Sequence, residues 1–285
     1  MAKALTPSSH QANIIEPNRN ALLPPLLLTL VTISIILLII VGGGLFFFPK
    51  FSQPRWLWPL TPFNTRFLGA IYLTALVSLS SLVLAKRETL TRLVMPMMWV
   101  FTTVVLTVSC LQLQQFAASR KATDIWFVLY LVDCIAASYY LGYYRHQSYE
   151  GLRRLSKSWS IGLGLQAGLL GAYGLGLLLL PATVGSWWPW PLDAFHSQLY
   201  SSIFLTGAVG AAILSFKATA IELKALGAIQ VTFSSLVLVG IWVVDRAVNK
   251  IDWSALGNWA WVGAIALLGI AGLALIRQSL LSRLD

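Results

Sequence analysis

From Leu22 to Phe48 the chain runs for 27 residues without a charged side chain. A bilayer core about 30 Å thick is crossed by about 20 apolar residues in helical form, so this one stretch already fixes an element. Runs on that scale occur eight times, at 26–48, 67–85, 93–115, 125–144, 159–180, 198–216, 225–244 and 255–276. Their length is that of helices, because a membrane strand needs only about ten alternating residues. A helix also satisfies its own backbone polar groups, as lipid demands. Composition agrees, since only 11% of the 285 residues are charged and 57% are hydrophobic, against roughly 25% charged in soluble domains. A soluble globule, a disordered chain and a disulfide scaffold (the chain has two cysteines) are therefore excluded. The expected fold is an all-α polytopic membrane protein with eight transmembrane helices.

The polar segments between the runs set an expected topology. Residues 1–21 are largely polar, with Pro7 and Pro17, and read as a mobile tail. They do not read as a cleaved signal peptide, because the apolar run after them is too long and starts too late. With eight spans, thirteen Lys and Arg fall on the side of the termini and seven on the other. The positive-inside rule then places both termini in the cytoplasm. Most of the +10 net charge is this orientation signal, and no soluble basic face exists that would bind nucleic acid.

A duplication underlies the pattern. Trp56-x-Trp58-Pro59-Leu60-x-x-Phe63 recurs as Trp188-x-Trp190-Pro191-Leu192-x-x-Phe195, and Gly44, Leu45 and Pro49 recur as Gly176, Leu177 and Pro181. The offset is always 132 residues, and thirteen of the 39 positions from 44 to 82 are identical to their counterparts. The expected organisation is a first four-helix repeat at 22–145, a basic linker at 146–154 and a second repeat at 155–285. Each repeat has an even number of spans, so the two are parallel, related by an axis along the membrane normal.

Three groups of residues are candidates for chemistry or assembly. Trp56, Trp58, Trp188 and Trp190 lie in the loops opposite the termini and are expected as interfacial anchors, apolar ring inward and N–H toward water. A sharper reading makes the two loops a ligand platform meeting across the axis. Asp133 is the acid deep within a span; such a carboxylate is costly and is a functional hypothesis by default. Its counterpart, Ile265, is apolar. The structural alternative is a protonated acid bonded to Ser138, Tyr139, Tyr140 or a neighbouring helix. Gly164, Gly168, Gly269 and Gly272 are expected at tight helix contacts, because small residues let backbones approach in lipid.

No catalytic, metal or cofactor pattern stands out. His10, His146 and His196 are scattered, which offers no metal triad, and no phosphate loop or nucleophile elbow occurs. The string Trp58-Pro59-Leu60-Thr61-Pro62, then Arg66 and Gly69-Ala70, resembles an element of uncharacterised bacterial multi-pass membrane proteins. That resemblance implies a bacterial cell membrane and no particular activity. The leading expectation is a non-enzymatic structural or accessory subunit, with the bilayer and another membrane protein or a second copy as partners and no cofactor. The alternatives are a small-molecule or ion transporter with a path between the two halves, and a membrane enzyme or pigment-binding subunit.

Overall fold

The computed structural model describes residues 23–85, 88–117, 121–147, 149 and 151–281; the tail expected at 1–21 lies outside them. Eight helices are long and apolar enough to cross a membrane. They are α1 (Pro25–Phe47), α2 (Pro62–Ala85), α3 (Thr91–Leu111), α4 (Lys121–Tyr144), α5 (Lys157–Leu179), α6 (Ala194–Phe216), α7 (Ala220–Val248) and α8 (Leu256–Leu281). The described residues contain no strand, only an antiparallel bridge between Arg153 and Ala218. The chain is an all-α polytopic integral membrane protein.

Several helices begin earlier than the apolar runs, because their first turns are polar and held by caps. Asp193 accepts from the His196 N–H at the start of α6, and Thr61 accepts from the Asn64 N–H at the start of α2. Helix α7 opens with a capping box, in which Thr219 and Glu222 each bond the other's backbone N–H, and so satisfies two donors that a helix start leaves free. The polar Gln112, Gln114 and Gln115 are not part of α3, which stops at Leu111.

Helices α2, α3, α6 and α7 form the interior, with 44–56% of their apolar windows buried, while α1, α4, α5 and α8 form the outside, with 17–28%. Helix α1 packs along α2, α5 along α6, α3 along α4 and α7 along α8. The interior contacts cross between halves: α2 lies along α7 and α3 along α6, with little contact between α2 and α3 or between α6 and α7. Each half is thus two hairpins clasping hairpins of the other, rather than a separate four-helix bundle. At one end the clasp is reinforced by a bidentate ion pair. Arg92 donates to both Glu222 oxygens (2.8 and 2.9 Å) and to the Lys217 carbonyl (2.7 Å), while Glu222 is fully buried.

Only part of the expected glycine set packs helices. A Cβ on Gly272 would lie 2.7 Å from the Gly227 carbonyl, and one on Gly269 would lie 2.9 Å from the Ser234 Cβ. Gly164 and Gly168 meet nothing within 4 Å and lie on the exposed side of α5. They are corrected to outward-facing positions: α5 turns toward α6 the face that carries Gly171 and Gly174, which pack on Ala208 and Leu205, so Gly164 and Gly168 have no helix beside them.

Candidate functional site

The loops that follow α1 and α5 carry the repeated tryptophans to the same end of the molecule. Pro49 and Pro181 each open a short helix directly after the long one, since proline at a first helical position gives up no needed donor. Trp58, Trp188 and Trp190 are then buried, at 3%, 4% and 3% exposure, and Trp56 is half-buried. This corrects the expectation of interfacial anchors: the rings sit inside the core among aromatic neighbours, and Trp58 and Trp190 find there the polar partners that a headgroup layer would otherwise supply. Trp187, at 63% exposure, is the loop ring that stays outside.

The burial is reciprocal. Trp58 donates its indole N–H to His196 Nε2 (3.1 Å), and Trp190 donates its indole N–H to Asn64 Oδ1 (2.9 Å). Each loop therefore grips the first turn of the other half's inner helix. Because Nε2 accepts, the His196 proton sits on Nδ1 and is donated to Asp193 Oδ2 (2.6 Å). Partial burial alone would raise the Asp193 carboxyl, but the His196 hydrogen bonds outweigh it and hold the group below its usual range. Phe63 stacks on Trp190, and Phe195 packs edge-on to Trp58.

Below the first loop lies a cavity of about 290 Å³. It occupies the cleft between the α1–α2 and α3–α4 hairpins, and Ile203 and Thr206 of α6 with Ile229 of α7 close its inner side. Comparison at the 132-residue offset accounts for the space. Val41 and Leu129 line it, and their counterparts are Tyr173 and Trp261. In the second half those two large rings meet, with the Trp261 N–H donating to the Tyr173 hydroxyl at 3.0 Å. Where the second half has a hydrogen-bonded aromatic pair, the first half has a void.

The cavity wall is mostly apolar and aromatic, with Trp56, Tyr72, Phe101, Trp126 and Tyr130 contributing. Trp126, Tyr130 and Asp133 follow one another at i, i+4 and i+7, which places them along one face of α4. The Trp126 N–H is taken by Ser109, and the Tyr130 hydroxyl donates to that of Tyr72. Thr74 and Thr102 donate within their own helices, to Ala70 and Met98. Asp133 accepts from Ser34 of α1 at a long 3.4 Å, so the neighbouring helix supplies its partner, not Ser138, Tyr139 or Tyr140. The ion pair found among the described residues, Arg92–Glu222, does not include it. The other charged group on the wall, Arg55, sits at the loop end, donating to the Phe51 carbonyl and lying over the Phe51 ring.

Helices α1 and α4 share no extended contact among the described residues, and Ile125 both lines the cavity and is 63% exposed. The cleft therefore opens sideways, between two lipid-facing helices. Chemically, the site can accept an apolar body from the bilayer and offer one hydrogen-bonding or charged end near mid-membrane. Sequence reading found Asp133 and Trp56 but missed Ser34, Val41 and Leu129; the signal available was the difference in side-chain size across the 132-residue offset at 41/173 and 129/261. No protein family, curated protein or solved structure matches the chain.

Proposed function

We propose that the protein is a membrane-embedded binder and carrier of a small amphiphilic molecule, held in the cavity beside Asp133. One observation carries this: the cavity ends on the carboxylate at mid-span whose partner is a single long hydrogen bond. Helices in lipid gain stability from close packing, and the second half achieves it at the corresponding place with Tyr173 and Trp261. Leaving about 290 Å³ open around a costly acid forgoes that gain, which is the pattern of a binding site. The path lies within the first half's cleft, walled by the second half, and not between two separate bundles.

The duplication and orientation form part of this reading. The bounds Pro25–Phe47 and Lys157–Leu179 differ by 132 residues at both ends, and the Trp58–His196 and Trp190–Asn64 bonds join positions related by the same offset. These support two parallel repeats from a fused ancestor, filled by Tyr173 and Trp261 in the second and open at the corresponding positions in the first. The Lys and Arg distribution supports cytoplasmic termini, with the tryptophan loops on the outer side.

Native mass spectrometry of the protein purified in mild detergent tests the reading. A small molecule should be retained by the parent and lost from Leu129→Trp; identical masses on both would overturn it. A second reading, an accessory subunit without chemistry of its own, is favoured by the open outer surface at Gly164 and Gly168, where another helix could approach closely. It predicts co-purification with a membrane partner that is indifferent to Leu129→Trp.

A further inference from the structure

The cavity's chemistry narrows what fits inside it. Asp133 is residue thirteen of the 24 in α4, about 18 Å of helical rise from its first residue, and therefore far from either headgroup layer. A carboxylate there lacks water, and Ser34 at 3.4 Å is a weak substitute. A buried charge without a counter-ion is strongly unfavourable, and a closely placed, hydrogen-bonded counter-ion offsets part of that penalty. Tyr130 lies one turn away on the same face, and Trp126, Phe101, Tyr72 and Trp56 continue the wall beyond it. Rings around an acid suit a cation, because the negative face of a π-system attracts positive charge, more so when both are desolvated. Arg55, the other charged wall residue, holds its own position at the loop end and disfavours a cation arriving from that side. The cleft between α1 and α4 provides the other way in. Access from the bilayer selects a molecule that partitions into lipid.

Resting on the binding role proposed above, we propose that the ligand is a lipophilic ammonium ion, an aliphatic or aryl-alkyl amine. Its protonated nitrogen sits against Asp133, and its apolar body lies along the aromatic wall toward Trp56. Anions of the same shape are rejected by Asp133, and neutral alcohols bind more weakly, because they bring a hydrogen bond without a charge.

Isothermal titration of the full chain in nanodiscs with phenylbutylamine and with its alcohol isostere, phenylbutanol, tests this. The Leu129→Trp variant serves as the blank for partition into lipid. The amine should bind at least about tenfold more tightly than the alcohol, a difference of about 1.4 kcal/mol, and Asp133→Asn should abolish that preference while leaving alcohol binding in place. Asp133→Glu should retain it, which guards against a variant that merely misfolds. Equal binding of amine and alcohol, both lost in Leu129→Trp, would overturn the ammonium assignment and leave the cavity's binding role intact. Signals in the parent no larger than in Leu129→Trp, for both probes, would overturn both.

Discussion

Grafting the second half's filling onto the first tests why one half is hollow. The double change Val41→Tyr with Leu129→Trp places the hydrogen-bonded pair seen between Tyr173 and Trp261 at the positions that line the cavity. Cavity volume carries about 24 cal/mol per Å³ when created by truncation. Replacing Leu by Trp adds about 60 Å³ and Val by Tyr about 50 Å³, which on that scale gives about 2.6 kcal/mol of stabilisation. The new indole–hydroxyl bond adds about 1 kcal/mol. Together these raise the thermal midpoint by about 7–14 °C, at about 2–4 °C per kcal/mol for a chain of this size. Circular dichroism melts in one detergent, on parent, single and double variants, give the comparison. The reverse graft, Tyr173→Val with Trp261→Leu, should lower the midpoint by a similar or larger amount, because it opens a void among rings that already pack. A double variant less stable than the parent, with the single variants equally so, would refute the reasoning. The space would then be too constrained to take the rings, and the repeat offset would not explain it.

Three other outcomes follow from the packing. Gly227→Ala drives a Cβ to 2.5 Å from the Gly272 carbonyl and should destabilise by about 1–3 kcal/mol, whereas Gly168→Ala, in open space, should be neutral or stabilising by up to about 1 kcal/mol; denaturation in parallel separates them. His196→Ala leaves the buried Trp58 N–H without an acceptor, with a loss of about 1–3 kcal/mol, while His196→Asn, copying the residue at position 64, should recover most of it. Asp193 is held below its ordinary range in the fold, so its contribution is complete above the unfolded carboxylate value of about 3.9 and disappears as pH falls through the lower folded one. Asp193→Asn should flatten the acid limb of a stability-against-pH curve, and an unchanged limb would show that other carboxyls set it.

How much could be read from the residues follows from what lipid does to sequence. Transmembrane runs are legible because the bilayer imposes length and apolarity, so all eight helices were visible, and their polar first turns at Asp193 and Thr219 were not. Burial was less legible, since a lipid-facing and a core-facing side chain are equally apolar. Leu129 and Leu165 look alike in sequence, yet one lines the cavity and the other faces outward. Gly164-x-x-x-Gly168 and the pair Gly269 and Gly272 carry the same local signal, and only the neighbouring helix distinguishes them. For the tryptophans, their position beside prolines at a span's end suggested the interface. What decides their fate is the partner 138 residues away in His196, or 126 away in Asn64, which no local pattern contains. Asp133 was legible as an acid out of place; its cavity needed Val41 and Leu129 to be small, a fact visible only against position 173 and position 261.

The crossed interior has a consequence for biosynthesis. The face of α2 that ends beside α7 is complete once Ala85 has left the ribosome, but α7 begins only at Ala220. At about 5–20 residues per second, α2 waits on the order of 10 s for its partner. During that interval its inner surface needs another cover, such as lipid or the insertion machinery. The first half is therefore an unfinished object for most of translation. Two polypeptides divided near residue 150 should assemble only when made together, because each supplies the inner helices that the other lacks.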